Sequence, residues 1–150
     1  MNEGVAKALR EEDPIDLIRG LELCFDCDRE HLELEPNEGR RVLVAAAMFA
    51  NVFGASGYAG VVYELGSKLQ LIEDALRVLG VINIAQELQT IRELARSKGI
   101  ALTDNDDDGW SDLVAENHDF RSITQRDMPT ADDALARTMK QYVQGNVALF

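Results

Sequence analysis

Hydrophobic and polar residues recur along most of this chain with the three-to-four-residue spacing of an α-helix. A sustained alternation of every second residue, which would predict a strand, is nearly absent, and no Asn-Gly or Asp-Gly hairpin separates β-branched runs. The pattern therefore predicts an all-α protein: a single compact domain of about six or seven helices. The stretch VLVAAAMFA falls in a predicted helix over 36–53 and indicates that this helix is central and buried.

Capping residues predict several helix boundaries. Asp13 followed by Pro14 favours a helix start, because Asp accepts hydrogen bonds from free N–H groups and Pro suits the first helical position. Ser67 is expected to cap a later helix, and Gly80 and Gly99 are expected to end the two leucine-rich helices that follow.

Three further boundaries are predicted less directly. The first helix is expected over 1–12 and the last near Thr130, which has the capping-box spacing to Asp133. Gly54, Gly57 and Gly60 are expected to break the helical pattern in a tight, close-packed turn before a short helix.

Charge is distributed unevenly. The net charge of −12 comes from 12 acidic and 4 basic residues in 1–38, 5 and 7 in 39–100, and 10 and 4 in 101–150. We therefore divide the domain into acidic N-terminal helices (1–38), near-neutral core helices (39–100), and an acidic loop with the C-terminal helix (101–150). Segregated acid repels nucleic acid and anionic membranes and attracts basic proteins or cations.

The densest carboxylates predict a partner-binding surface in two blocks. A basic protein is the expected partner, and if the protein forms a homodimer, the blocks of two copies could extend one strip. The first block contains Asp26, Asp28, Glu30, Glu33 and Glu35, and the second contains Asp104, Asp106, Asp107, Asp108 and Asp112.

The second block also has part of the spacing of a calcium loop. Acidic residues stand at positions 1, 3, 5 and 9 from Asp104, with glycine at position 6. Position 12, however, is Ala115, and Glu116 is one residue late, which turns it about 100° away on a helix. We favour a solvated acidic loop and keep a calcium-binding regulator as an alternative.

Two cysteines form a CxxC, with His31 four residues further on. A redox or zinc site is conceivable at this spacing. Neighbouring Asp26 and Asp28 disfavour a thiolate, however, and His118 is the only other histidine. We expect Cys24 to be a buried structural residue and Cys27 to be incidental, with no metal or cofactor.

Enzymatic motifs are lacking. No Gly-rich phosphate loop or serine elbow occurs, and Phe53, Tyr58 and Tyr63 are expected to pack in the core rather than form a ligand platform. The pattern of the first residues leads us to expect no secretory signal, and we find no apolar run of roughly 20 residues that would predict a bilayer span. We expect a cytoplasmic, non-enzymatic protein with reduced thiols.

The central block, VFGASGYAGVVY, carries a family resemblance through Val52, Gly57, Tyr58 and the pair Val61-Val62. The downstream segment Ile72–Gly80 and the ending Tyr142–Phe150 are also similar. The chain over about 40–150 resembles a bacterial family of small all-α proteins that includes an acidic dimeric DNA mimic. Ser56, Gly60 and Glu64 replace a Gly, a Gln and an Asn of the family motif.

The resemblance implies an all-α fold and dimerisation, and it implies DNA mimicry where the charge layout suits, but not catalysis. With the charge distribution, it makes an acidic interaction protein with a basic partner, such as a DNA-binding protein, the leading hypothesis. The alternatives are an immunity or antitoxin-type protein that blocks a basic toxin site, and the calcium-binding regulator.

Overall fold

The computed structural model describes residues 1–105, 117–124 and 132–150, and this part of the chain is helical without strands. Five α-helices have ten or more residues and two are shorter, so the all-α class is confirmed, although six or seven is slightly more than the number of long helices. The helices are α1 (Glu3–Ala8), α2 (Pro14–Leu23), α3 (Glu38–Leu65), α4 (Leu69–Val78), α5 (Ile82–Ser97), α6 (His118–Thr124) and α7 (Asp132–Gly145). Short 3-10 turns cover Leu32–Leu34, Gly66–Lys68 and Val147–Leu149.

Helix α3 is the centre of the fold, as its apolar composition predicts. It packs against α2, α4, α6 and α7, while α1 packs on α2 and α5 packs on α4. From Val42 to Ala47 every side chain is buried, because other helices cover α3 on several sides. Residues of α1, α2, α4, α5 and α7 join α3 in one hydrophobic core.

Three predicted helix boundaries are confirmed, those at Asp13, Gly80 and Gly99. The Asp13 carboxylate accepts hydrogen bonds from the N–H groups of Ile15 (2.9 Å) and Asp16 (3.1 Å), and Pro14 begins α2. Gly80 and Gly99 follow α4 and α5 with φ of 79° and 68°, the left-handed conformation that glycine adopts without strain.

Two helix starts differ from the prediction. Ser67 does not cap α4, because it lies in the 3-10 turn Gly66–Lys68 and α4 begins at Leu69 without a side-chain cap. Helix α1 is shorter than 1–12: it begins after Asn2, whose side chain accepts a hydrogen bond from Val5 N (2.8 Å), and ends at Ala8. Thr130 lies outside the described residues.

The predicted glycine break is confirmed at Gly57, where two helical stretches of α3 meet across a kink without an intervening loop. Gly57 alone departs from helical geometry, with φ 63° and ψ −160°. Gly60 lies within the helix, and a Cβ added there would be 2.3 Å from the Ser56 Cβ. The kink therefore depends on two glycines: Gly57 adopts the unusual backbone angles, and Gly60 allows the close approach of Ser56.

The sequence predicts no membrane-spanning run, yet the helical stretch Glu38–Val78 is long and apolar enough to cross a membrane by length and composition. In its most apolar window, 56% is buried inside the fold. That burial is what the central helix of a helical core requires.

Candidate functional site

The chain between α2 and α3 is a loop that we call the acidic segment, Phe25–Glu35. Three of its side chains point into the fold: Phe25, Cys27 and Leu32 are 5%, 7% and 0% exposed. Each buried apolar side chain removes surface from water, which stabilises a single path of the loop. Between and just after these three anchors, the loop presents carboxylates to solvent at Asp26, Asp28, Glu30 and Glu33.

Contacts from distant parts of the chain fix both ends of the acidic segment. The Phe25 ring packs on the Phe150 ring at 5.8 Å between centroids, and the Arg40 guanidinium lies over the Phe25 ring, also at 5.8 Å. At the other end, Arg41 Nη1 donates a hydrogen bond to the Glu35 carbonyl (2.7 Å). Residues of α3 and the C-terminal residue therefore hold a loop that has no helical hydrogen bonds over most of its length.

Asp28 organises the middle of the acidic segment. Its Oδ1 accepts hydrogen bonds from the N–H groups of Glu30 (3.0 Å) and His31 (3.3 Å), and its Oδ2 is 3.0 Å from His31 Nδ1. The bond with the imidazole lowers the pKa of the Asp28 carboxyl and raises the pKa of His31.

Three carboxylates of the first block have no such role. The side chains of Asp26, Glu30 and Glu33 are exposed and make no hydrogen bond or ion pair with other residues that the structure describes. The only guanidinium in the segment, that of Arg29, is bound to Glu22, with its Nε 3.1 Å from the carboxylate oxygen. The unpaired charge that the segment's own side chains present is therefore negative, while Arg40 of α3 contributes a positive charge at its Phe25 end.

Glu35, in contrast, uses both of its carboxylate oxygens in hydrogen bonds within the fold. Its Oε1 accepts a hydrogen bond from Asn37 N (3.0 Å), and its Oε2 accepts one from the Cys27 thiol (3.4 Å). Burial, the Glu35 hydrogen bond and the nearby negative charge raise the pKa of Cys27 to about 11. A thiol with that pKa stays protonated at neutral pH, which argues against a nucleophilic role.

The predicted roles of the two cysteines are the wrong way round. Cys27 is the buried one, whereas Cys24 is half-buried and donates a hydrogen bond to the Gly20 carbonyl (3.0 Å). Helix α2 ends at Leu23, so the buried face of α2 does not extend to Cys24, and the following loop turns Cys27 inward. Within the described residues, no group of three or more His, Cys, Asp or Glu side chains is arranged to hold a metal ion.

Asp104, the first residue of the second block, is a tertiary link. Its carboxylate accepts hydrogen bonds from Ser67 N (2.9 Å), Ser67 Oγ (2.7 Å) and Lys68 Nζ (2.8 Å). Burial opposes its ionisation, but the bonds from Lys68 and Ser67 prevail and lower its pKa. Asn105 N also donates to the Tyr63 carbonyl (2.8 Å), so this stretch is fixed to the junction of α3 and α4.

The two acidic blocks are thus held by different parts of the fold. The first is fixed at the start of α3, whereas Asp104 is fixed just beyond the end of α3. Because the Asp104 carboxylate is already paired with the Lys68 ammonium group, little of its negative charge remains for binding a calcium ion or a partner. Asp106, Asp107, Asp108 and Asp112, and with them the remainder of the predicted calcium loop, lie outside the described residues.

The predicted core role of three aromatic residues, Phe53, Tyr58 and Tyr63, is confirmed in part. The Phe53 ring lies 5.0 Å from the rings of Phe49 and Tyr58, and Phe53 and Tyr58 are buried, so their core role is confirmed. Tyr63 is only half-buried and does not join the core, so the prediction is wrong for this residue.

Sequence reasoning missed two exposed leucines: Leu23, just before the acidic segment, is 73% exposed, and Leu34, within it, is 74% exposed. The signal for Leu34 was its position between Glu33 and Glu35, where helical periodicity no longer applies.

The fold and this surface define an all-α protein with a well-anchored acidic loop between its second and third helices. Comparison of the chain with protein-family models, curated proteins and solved structures finds no match. The resemblance to the family with a DNA mimic therefore stays a prediction.

Proposed function

We propose that this protein is a non-enzymatic interaction protein whose acidic segment binds a basic protein. One observation carries the proposal: buried Phe25, Cys27 and Leu32 fix the loop, while the carboxylates of Asp26, Glu30 and Glu33 are exposed and unpaired within the described residues. A surface fixed before binding loses little conformational entropy when a partner docks.

The charges support a basic partner on physical grounds. Acidic side chains so close in sequence repel one another, and a cationic surface would relieve that repulsion while speeding association. Leu34 adds an exposed apolar side chain beside the carboxylates. A mixture of charge and apolar area is typical of protein interfaces, in which a few central residues contribute most of the affinity.

Among basic partners, we favour a DNA-binding protein. Such proteins carry cationic surfaces that already recognise rows of anions, and the net charge of −12 prevents this chain from competing as a nucleic-acid binder itself. The acidic segment would then occupy the partner's DNA-binding surface. An immunity-type role, with a toxin as the basic partner, uses the same surface and differs in the partner's identity.

The test compares two triple variants in affinity capture from the source cell, followed by measured affinities for each basic protein recovered. The site variant is Asp26→Asn/Glu30→Gln/Glu33→Gln. The matched control, Glu12→Gln/Glu64→Gln/Asp74→Asn, neutralises one Asp and two Glu that are also exposed but lie elsewhere. We expect the site variant to lose at least about tenfold in affinity and the control to change by about twofold or less.

Three results would contradict parts of the proposal. Equal losses in both variants would show that net charge, rather than the acidic segment, drives binding. Binding that does not weaken with salt would exclude a carboxylate interface. Failure of duplex DNA to compete would exclude DNA mimicry, and recovery of a co-encoded nuclease would favour the immunity role.

A further inference from the structure

A cleft between the α3–α4 junction and the end of α5 is lined by basic residues, in contrast to the carboxylates of the acidic segment. It has a volume of about 260 Å³, and two arginines line it, Arg92 and Arg96. None of its lining residues is acidic. Three other clefts on the described surface each include at least one acidic residue, as expected for a chain with a net charge of −12.

The charge on Arg92 is only partly compensated. Its Nε donates to Glu73 Oε2 (3.2 Å), and its Nη2 lies 3.2 Å from the same oxygen, which leaves Nη1 without a bond to this carboxylate. The Glu73 carboxylate also accepts from Arg77 Nη2 (3.4 Å). One buried carboxylate, 5% exposed, is therefore shared between two guanidinium groups.

Arg96 adds a second positive charge on the same face of α5. It lies one turn after Arg92, at a spacing that places two side chains together, and like charges at this spacing repel. Arg96 makes no hydrogen bond or ion pair with the residues that the structure describes. Lys68, close to the cleft, is already paired with Asp104. An anion bound between Arg92 and Arg96 would neutralise their uncompensated positive charge.

Apolar residues also line the cleft. Leu69, Ala95, Ile100 and Leu102 line it, with Gln70 as a neutral hydrogen-bonding group. The volume corresponds to about nine non-hydrogen atoms at the roughly 30 Å³ that a water molecule occupies in the liquid. Both the size and the lining suit a small molecule with one anionic end and an apolar body.

We propose that this cleft binds a small organic anion, with its carboxylate against Arg92 and Arg96 and its apolar body against Leu69, Ile100 and Leu102. Arginine is suited to this role because its planar donors pair with both oxygens of a carboxylate. The site is separate from the acidic segment and does not depend on the protein–protein function proposed above.

The test is an NMR titration of the intact, ¹⁵N-labelled chain with sodium hexanoate, hexan-1-ol and inorganic phosphate at constant ionic strength. Hexanoate has both features of the proposed ligand, the alcohol lacks the charge and phosphate lacks the apolar body. We expect saturable shifts of the Ala95, Ile100 and Leu102 amides with hexanoate only. Equal responses to hexanoate and either other probe, or no saturable response to hexanoate, would overturn the proposal.

Variants separate the cleft from general charge effects. Arg96→Gln should weaken hexanoate binding about tenfold, because a charged hydrogen bond to the carboxylate is lost. The matched control is Lys98→Gln, just beyond the end of α5, because Lys98 is exposed and does not line the cleft. It should change the affinity by less than about twofold. The same loss in both variants would contradict the site, and a circular dichroism melt of each variant verifies that it is folded.

Discussion

At the scale of single residues, the strongest perturbation in the acidic segment belongs to a thiol. The folded-state pKa of Cys27 is about 11, above its ordinary value of 9.0. A raised pKa means that the neutral thiol stabilises the fold, fully below pH 9, and that this contribution is lost as the pH rises from 9 to 11. The contribution is at most about 2 kcal/mol, because solvent reduces the penalty of ionisation.

We therefore expect the wild-type advantage over Cys27→Ala in free energy of unfolding to shrink between pH 9 and pH 11. Urea denaturation of both proteins at several pH values measures it. Lysine and tyrosine titrate in the same range, but they do so in both proteins and cancel in the difference. An advantage that is constant with pH would mean that the thiol does not titrate in this window.

Asp104 provides the opposite pH dependence. Its pKa lies below the ordinary value of 3.8, so its ion pair with Lys68 stabilises the fold above about pH 4 and loses this effect as the pH falls further. Asp104→Asn should destabilise the protein by about 1–2 kcal/mol at pH 7, because the half-buried ammonium group loses its partner. The difference from wild type, measured by denaturation, should close below pH 4; a difference that persists in acid would assign the loss to packing.

At the scale of helices, two glycines of α3 should respond in opposite ways to the same substitution. Gly57 has φ 63° and ψ −160°, a region open essentially to glycine, and an added Cβ would meet nothing within 4 Å. Gly57→Ala should therefore destabilise the protein by about 1–3 kcal/mol through backbone strain alone. Gly54 is helical, and its added Cβ would approach only Asp132, at 3.9 Å. Gly54→Ala should stabilise by about 0.5–1 kcal/mol.

Thermal melts of both glycine variants measure this contrast. If Gly57→Ala is as stable as wild type, α3 tolerates a regular helix at this point and the kink is not required by the fold.

The helix boundaries show what the sequence can predict. Asp13, Gly80 and Gly99 act through atoms within three residues, or through their own backbone angles, so local pattern was sufficient for them. The prediction that Ser67 caps α4 was wrong because its hydroxyl and N–H groups donate hydrogen bonds to Asp104, which is 37 residues away in sequence. For the same reason the buried position of Cys27 could not be predicted: it depends on Glu35 and on a loop path fixed by Phe150 and α3.

At the scale of the whole molecule, the two ends of the described chain meet beside the acidic segment. Asn2 N donates to the Phe150 carbonyl (2.8 Å), Asn37 Nδ2 donates to the Leu149 carbonyl (2.9 Å), and Phe150 packs on Phe25. The fold thus joins the acidic N-terminal segment to the C-terminal residues, although in sequence the near-neutral body separates them. Charge counting could identify the acidic ends but not this junction.

If the carboxylates of the acidic segment serve a partner, the free protein carries their mutual repulsion as a cost to stability. Neutralising them in Asp26→Asn/Glu30→Gln/Glu33→Gln should then raise the melting temperature at low salt by a few degrees, while affinity for the basic partner falls. The control Glu12→Gln/Glu64→Gln/Asp74→Asn should gain less, because Glu64 and Asp74 lie in the near-neutral body. In 1 M salt, where the screening length is about 3 Å, the two variants should melt alike. A site variant less stable than wild type at low salt would mean that these side chains support the fold itself, and the exposed carboxylates would no longer be explained by binding.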